Sequence, residues 1–229
     1  MELNFKYPAT EQANDVSMTM SELLHFEILD GRRRNILPKL AIFKNLFYLA
    51  DSTGLELQLG HRDSIDFDYF QERPFIPYNF AGELLKIFDN CQVTIIQKEI
   101  DTLTVMIDNS IKLSFSYYSY QSIKPIVNSE FFNLASVEDI GRMKLSAITG
   151  RTLLKDYVDL YFILKIVPLK TLLSTSSIKF PNLDTNLILK SLVCFDDIID
   201  ESILFKNNQA VTKEEVKRFF ENQVEDIGH

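Results

Sequence analysis

The 229-residue chain is 46% apolar and 24% charged, and it carries a net charge of −8. That composition supplies enough apolar material for one large domain or two lobes sharing a core, and it excludes wholesale disorder. The acidic balance argues against broad attachment to nucleic acid or to an anionic membrane, which rests on a Lys/Arg excess, while leaving room for a local basic groove or a nucleotide pocket.

In chain order, the N-terminal stretch lacks a basic region followed by an apolar one, so no signal peptide is expected. Thr19-Met20-Ser21-Glu22 has capping-box form and opens a helix toward Leu29 that Gly31 ends. Ile36 to Leu46 reads as a second helix with Pro38 in its first turn, and Leu55 to Leu59 as a short third. Ser64 to Phe70 alternates strictly and reads as a strand. It places Ile65, Phe67 and Tyr69 on one face and Ser64, Asp66, Asp68 and Phe70 on the other. Gly82 to Asp89 looks helical. Cys91 to Gln97, Leu103 to Asp108 and Ile111 to Tyr118 look like strands, the last two joined by an Asn-Ser turn at Asn109 and Ser110. Ser136 starts a helix running toward Ile148, and Lys155 to Val167 forms another, stopped by Pro168. Ser174 to Asn182 reads as a loop. Asp184 to Val193 and the capping box at Thr212 give the last two helices. No run of about 18 apolar residues exists, so no membrane span is expected. The two cysteines, Cys91 and Cys194, read as buried thiols of a reduced compartment, and a cytoplasmic location follows. The order of elements suggests an α+β lobe over residues 1–125 and a helical lobe over 126–229.

Asp66 and Asp68 stand out. Residues i and i+2 of a strand point the same way, about 6.5–7 Å apart. Two bare carboxylates that close repel, and one is expected to have a raised pKa. A divalent cation removes the conflict, and Mg²⁺ favours one or two carboxylates together with substrate phosphates. The alternative is an exposed strand face with two solvated acids. Arg62, just upstream, is a cation where a phosphate could lie, or a salt-bridge partner for Asp63 or Asp66. His61 is a general base or, more simply, a histidine packed in a turn.

The stretch YLADSTGLELQLGHRDSIDFDYF resembles the N-terminal motif of the AbiEii/AbiGii abortive-infection toxin family of nucleotidyltransferases: a Gly-Gly-Thr turn, a short helix, Gly-His-Arg, Ser and Asp-x-Asp. EDIGRMKLSAITGRTLLKDYVDLYFIL, from Glu138 to Leu164, resembles the family's distal motif, and the two together span residues 45–165. The resemblance implies a DNA polymerase β-like nucleotidyltransferase core with a helical second lobe. It also implies Mg²⁺- or Mn²⁺-dependent transfer of a nucleotide from an NTP to an acceptor such as tRNA or a protein, and a role as toxin beside a cognate antitoxin. Residue by residue, Asp66 and Asp68 match the metal pair, Thr53 the turn threonine, and Arg62 and Ser64 the residues before the pair. Lys144 matches a lysine that would hold the triphosphate, Asp159 the distal acid and Asp156 its neighbour. Ser52 would offer its hydroxyl and N–H to the nucleotide.

The sequence departs from this pattern in two places. Asp51 and Ser52 replace the two glycines whose backbone would approach phosphate closely. A carboxylate there is either a liability to nucleotide binding or a helix cap pointing away. The strand IKLSFSYYSY, where polymerase β-like sites often carry a third carboxylate, offers Lys112, Ser114 and Ser116 on its polar face. Three readings follow: an active nucleotidyltransferase toxin, a protein of this fold that binds nucleotide or a partner without turnover, and an unrelated acidic α+β protein.

Overall fold

The computed structural model describes residues 24–64 and 66–227. The expected capping box at Thr19 to Glu22 lies outside them, as does Ile65. After a 3-10 turn at Phe26–Ile28, the chain forms α1 (Gly31–Leu40), which runs into a second 3-10 turn at Ala41–Phe43, then β1 (Tyr48–Leu49), α2 (Asp51–Leu59), β2 (Asp66–Gln71), α3 (Pro77–Ile87), β3 (Val93–Glu99), β4 (Thr102–Ile107) and β5 (Ile111–Tyr117). It continues through β6 (Val127–Asn128), β7 (Asn133–Leu134), α4 (Val137–Ala147), α5 (Leu154–Leu164), α6 (Leu169–Lys179), α7 (Thr185–Val193) and α8 (Lys213–Glu225).

The strands form one mixed sheet in the order β3-β4-β5-β2-β1-β7-β6. β2 lies at its centre, parallel to β5 and antiparallel to β1. Strand alternation sends Phe67 and Tyr69, both fully buried, to one side. There they join an aromatic core with Phe43, Phe47, Phe80 and Phe115, and Tyr69 stacks on Phe115 at 5.0 Å between ring centres. Asp66, Asp68 and Phe70 face the other side, where Phe70 packs against the second, mainly helical core. That core also takes in Tyr48, Ala50 and Leu55 from β1 and α2, so these elements tie the sheet to the helices.

Most local expectations are met. Ser136 accepts from the Asp139 N–H, and Thr212 and Glu215 make a reciprocal capping box. The β4–β5 hairpin forms as expected, with its tight turn on Asp108 and Asn109, both at positive φ, one residue before the Asn-Ser pair.

Four local expectations are corrected. Gly31 opens a helix rather than ending one, because the Asp30 side chain accepts from the Arg33 N–H and caps α1 there. Pro38 lies well inside that helix, not in its first turn. Ser174 to Lys179 belongs to α6, since the hydroxyls of Ser174, Thr175 and Ser176 bond back to carbonyls at Thr171 and Leu172 and so satisfy themselves within the helix. Cys194 is exposed, because the buried stripe of α7 runs through Ile188 and Leu192 instead.

Among the described residues, no helix is long and apolar enough to cross a membrane.

Candidate active site

α2 follows directly on β1, and its first residue, Asp51, sits at φ +52°. That left-handed value favours glycine, which gives a backbone reason for glycine at this point of the related motif. Gly54 does not share the unusual geometry. It lies within the helix, where a Cβ would stand 3.0 Å from the Leu49 carbonyl oxygen. The helix begins four residues before the expected Leu55, so Asp51 and Ser52 form its first turn rather than a preceding loop. The residue before them, Ala50, supplies no side-chain cap. The first N–H groups therefore have no acceptor within the helix, and its positive end looks outward.

It looks into a cleft of about 400 Å³ whose walls include Asp51, Ser52, Arg62, Ser64, Asp66, Asp68, Lys112 and Arg151. Asp66 and Asp68 stand side by side on β2, and their β5 register partners are Lys112 and Ser114. The Lys112 ammonium donates to the Asp66 carboxylate at 2.7 Å. Burial, then the nearby Asp51 carboxylate, pushes Asp68 up to about 6 even though Lys112 opposes the shift. Two adjacent acids, one of them raised to about 6 by burial and by a neighbouring carboxylate, make a donor set that suits a hard divalent cation, whose charge relieves their repulsion.

Behind the cleft lies a buried ionic cluster. Lys144 is 1% exposed and is ringed by Asp51, by Asp156 at 2.8 Å and by Asp159 at 2.9 Å. Asp159 accepts from Arg62 Nε at 2.7 Å and Nη2 at 2.8 Å, and pairs with His61 Nε2 at 3.0 Å. Burial pushes the Asp159 carboxyl up, but Arg62 and Lys144 outweigh it and hold the group well below the ordinary range. Burial likewise raises Asp51, and Lys144 and then Arg151 reverse the sign and keep it ionised. Glu56 is the exception. Its Oε1 lies 2.7 Å from Arg62 Nη2, yet neither carboxylate oxygen has hydrogen-bond geometry to a partner. The ion-pair distance and the missing hydrogen bonds point in opposite directions. Burial decides between them and drives the group well above its ordinary value, toward the neutral acid.

The structure thus brings Ser52, Arg62, Ser64, Asp66 and Asp68 to one cleft, while Lys144 and Asp159 lie in the cluster behind it. Thr53 is buried. Its hydroxyl meets Ser64 Oγ at 2.6 Å and donates to the Asp66 carbonyl, which ties α2 to the start of β2. Arg62 pairs with Asp159 rather than with the carboxylate of Asp63 or Asp66, and its Nη1 donates to the Asp63 backbone carbonyl at 3.1 Å. His61 is fully buried against the Phe162 ring at 4.6 Å, which is the packed-histidine alternative. Lys155, the i, i+4 partner that helix spacing offers Asp159, reaches Glu201 at 3.4 Å instead. The 201–204 segment and Arg151 were not legible as part of the site from their spacing. Arg151 bonds Asp156 through Nε at 2.7 Å and leaves nearly half its side chain exposed at the cleft. Its place in the distal motif was the signal available for it.

Asp51 is not an outward-pointing cap: its carboxylate turns to Lys144 and Arg151 at the cleft wall, which compensate its charge. Asp51→Gly is therefore expected to leave stability within about 1 kcal/mol of the parent, since relief of the positive φ offsets the lost ion pair. Anion affinity at the cleft should rise as Lys144 and Arg151 lose a carboxylate. Thermal melts and an NTP titration on both proteins check this, and unchanged or weaker binding by the glycine variant would contradict it.

No known family model matches the sequence. The uncharacterised protein aq_aa25 of Aquifex aeolicus is 35% identical over 188 residues, covering 80% of this chain and 88% of the relative. The chain belongs to the same family as this Aquifex protein. Two solved structures share its fold. JHP933 from Helicobacter pylori superposes with a TM-score of 0.55 at 20% identity, covering 89% of this chain and 93% of its own. A second H. pylori protein, provisionally described as a nucleotidyltransferase, has a TM-score of 0.53 at 22% identity, with coverage of 87% and 96%. The chain therefore has an α+β nucleotidyltransferase fold, and the reading as an unrelated α+β protein is set aside.

Proposed function

We propose that this chain is a nucleotidyltransferase that moves a nucleoside monophosphate from an NTP to an acceptor. The observation that carries the reading is the pairing of Asp66 and Asp68 on one face of the central strand, opening into a cleft walled by the start of α2. Asp66 and Asp68 would hold a divalent cation, Mg²⁺ or Mn²⁺, which when bound orients the phosphates and neutralises charge on them. The first-turn N–H groups of α2, the Ser52 hydroxyl, Lys112 and Arg151 would receive phosphate oxygens. Lys144 and Asp159 act from behind: the first holds Asp51 and the second orients Arg62. In the reaction an acceptor hydroxyl oxygen bonds to the α-phosphorus and loses its proton to solvent, the bond from that phosphorus to the bridging oxygen breaks, and pyrophosphate leaves with that electron pair.

The likeness to the AbiEii/AbiGii motifs supports a toxin of a toxin–antitoxin or abortive-infection pair, acting in the cytoplasm on RNA such as tRNA or on a protein. On this reading an α+β lobe over residues 1–125 carries the cation and residues 126–229 complete the site. The Lys112–Asp66 pair favours a second reading, binding without turnover, because an ammonium stands beside the carboxylates where a third acid would serve catalysis. Incubation with each labelled NTP, Mg²⁺ and total RNA separates the two. Label transferred to RNA or to a protein supports the enzyme, and nucleotide binding without transfer supports the second reading.

A further inference from the structure

Beside the cleft lies a second pocket of about 400 Å³, and the two share Asp51 and Arg151 as a common wall. Its lining includes Phe70, Tyr118 and Met143. Phe70 is the next residue after Asp66 and Asp68 on the same face of β2, one two-residue repeat of about 6.5–7 Å farther along. A single strand face therefore presents two carboxylates and then an aromatic ring.

The second ring is fixed in place. The Tyr118 N–H donates to the Gln71 carbonyl at 2.8 Å, which holds it beside the end of β2. Its ring meets Phe70 edge-on, with centres 5.4 Å apart at 64°. Tyr120 abuts it at 5.2 Å, and the buried Lys179 ammonium lies 5.8 Å from its centre. Both Phe70 and Tyr118 stay partly exposed.

We propose that this pocket receives the nucleobase of the nucleoside triphosphate, against Phe70 and Tyr118, while the phosphates lie over Asp66 and Asp68. The proposal rests on the reading of the adjoining cleft as a nucleotide site. Aromatic faces accept any base, since every base offers a π-face, so the pocket adds affinity more than choice among bases. The base of an acceptor RNA is the other source of the same chemistry, and it would be read as a loss of RNA affinity with NTP affinity intact.

The test compares ATP, CTP, tripolyphosphate and a short single-stranded RNA, titrated calorimetrically with Mg²⁺ into wild type, Tyr118→Ala and Tyr118→Phe. Wild type should bind the nucleotides about tenfold more tightly than tripolyphosphate. Tyr118→Ala should erase most of that difference without weakening tripolyphosphate, and Tyr118→Phe should keep it. Thermal melts establish that each variant is folded, and the wild-type comparison stands without them. Equal affinity of wild type for nucleotide and tripolyphosphate would overturn the subsite while leaving the cleft reading intact. So would an equal loss of both ligands in Tyr118→Ala, or a loss confined to RNA. Failure of wild type to bind either phosphate ligand would instead remove the cleft reading on which the subsite depends.

Discussion

Asp68→Asn is expected to abolish nucleotide transfer, by about 10³-fold or more, and at the same time to make the cation-free protein more stable above pH 6. The two effects have one cause. Lys112 gives its ammonium to Asp66, which leaves Asp68 buried beside other carboxylates with its pKa pushed up to about 6. An acid whose folded pKa exceeds its unfolded value binds its proton more tightly in the folded state. Its ionisation therefore opposes folding, by nothing below about pH 4 and in full above about pH 6, on the order of 3 kcal/mol. Asparagine removes that cost. Denaturation in EDTA at pH 4 and pH 8 should show the variant gaining stability only at the higher pH. Added Mg²⁺ should stabilise wild type and leave the variant unmoved, because only the charged pair binds the ion. A variant less stable than wild type at pH 8 would show that Asp68 makes a structural contact outweighing its charge.

The buried cluster behind the cleft should respond in the opposite sense. Asp159→Asn removes the charge that faces Arg62, Lys144 and His61, leaving two buried cations short of a partner. The expected loss is about 3–5 kcal/mol, the usual consequence of breaking a buried pair from one side. Glu56→Gln, a few ångströms away, should cost less than about 1 kcal/mol, because burial already favours the neutral acid and its oxygens make no hydrogen bond that glutamine would lose. Urea midpoints of the two variants at pH 7 test the contrast directly. Comparable losses in both would mean that Glu56 is ionised and shares the anchoring of Arg62 with Asp159.

Local chemistry in this chain was readable from order alone. The alternation from Ser64 to Phe70 placed Asp66 and Asp68 on one face and the aromatic residues on the other, because a strand repeats every two residues whatever surrounds it. Ser136 and Thr212 were readable as helix starts for the same reason, since each capping bond closes within three residues. Where order misled, a nearby group competed: the Asp30 cap turned Gly31 into a helix start, and backbone-bonding hydroxyls carried α6 through a serine-rich stretch.

Charge partnership was not readable. Lys144 and Asp51 are 93 positions apart in order yet form an ion pair, and Arg62 meets Asp159 across 97 residues. Sequence spacing offered Arg62 its neighbours Asp63 and Asp66, and it offered Asp159 the i, i+4 lysine at 155. The fold gave both to other partners. A buried charge settles on whichever opposite charge the tertiary packing brings within about 3 Å, because in a low-dielectric interior that pairing outweighs any local one. Sequence order therefore determined which residues carry the chemistry and which way β2 turns them. Only the packing of α2, α4 and α5 around that strand decided that Asp66 and Asp68 open into the cleft while Lys144 and Asp159 are spent on holding it together.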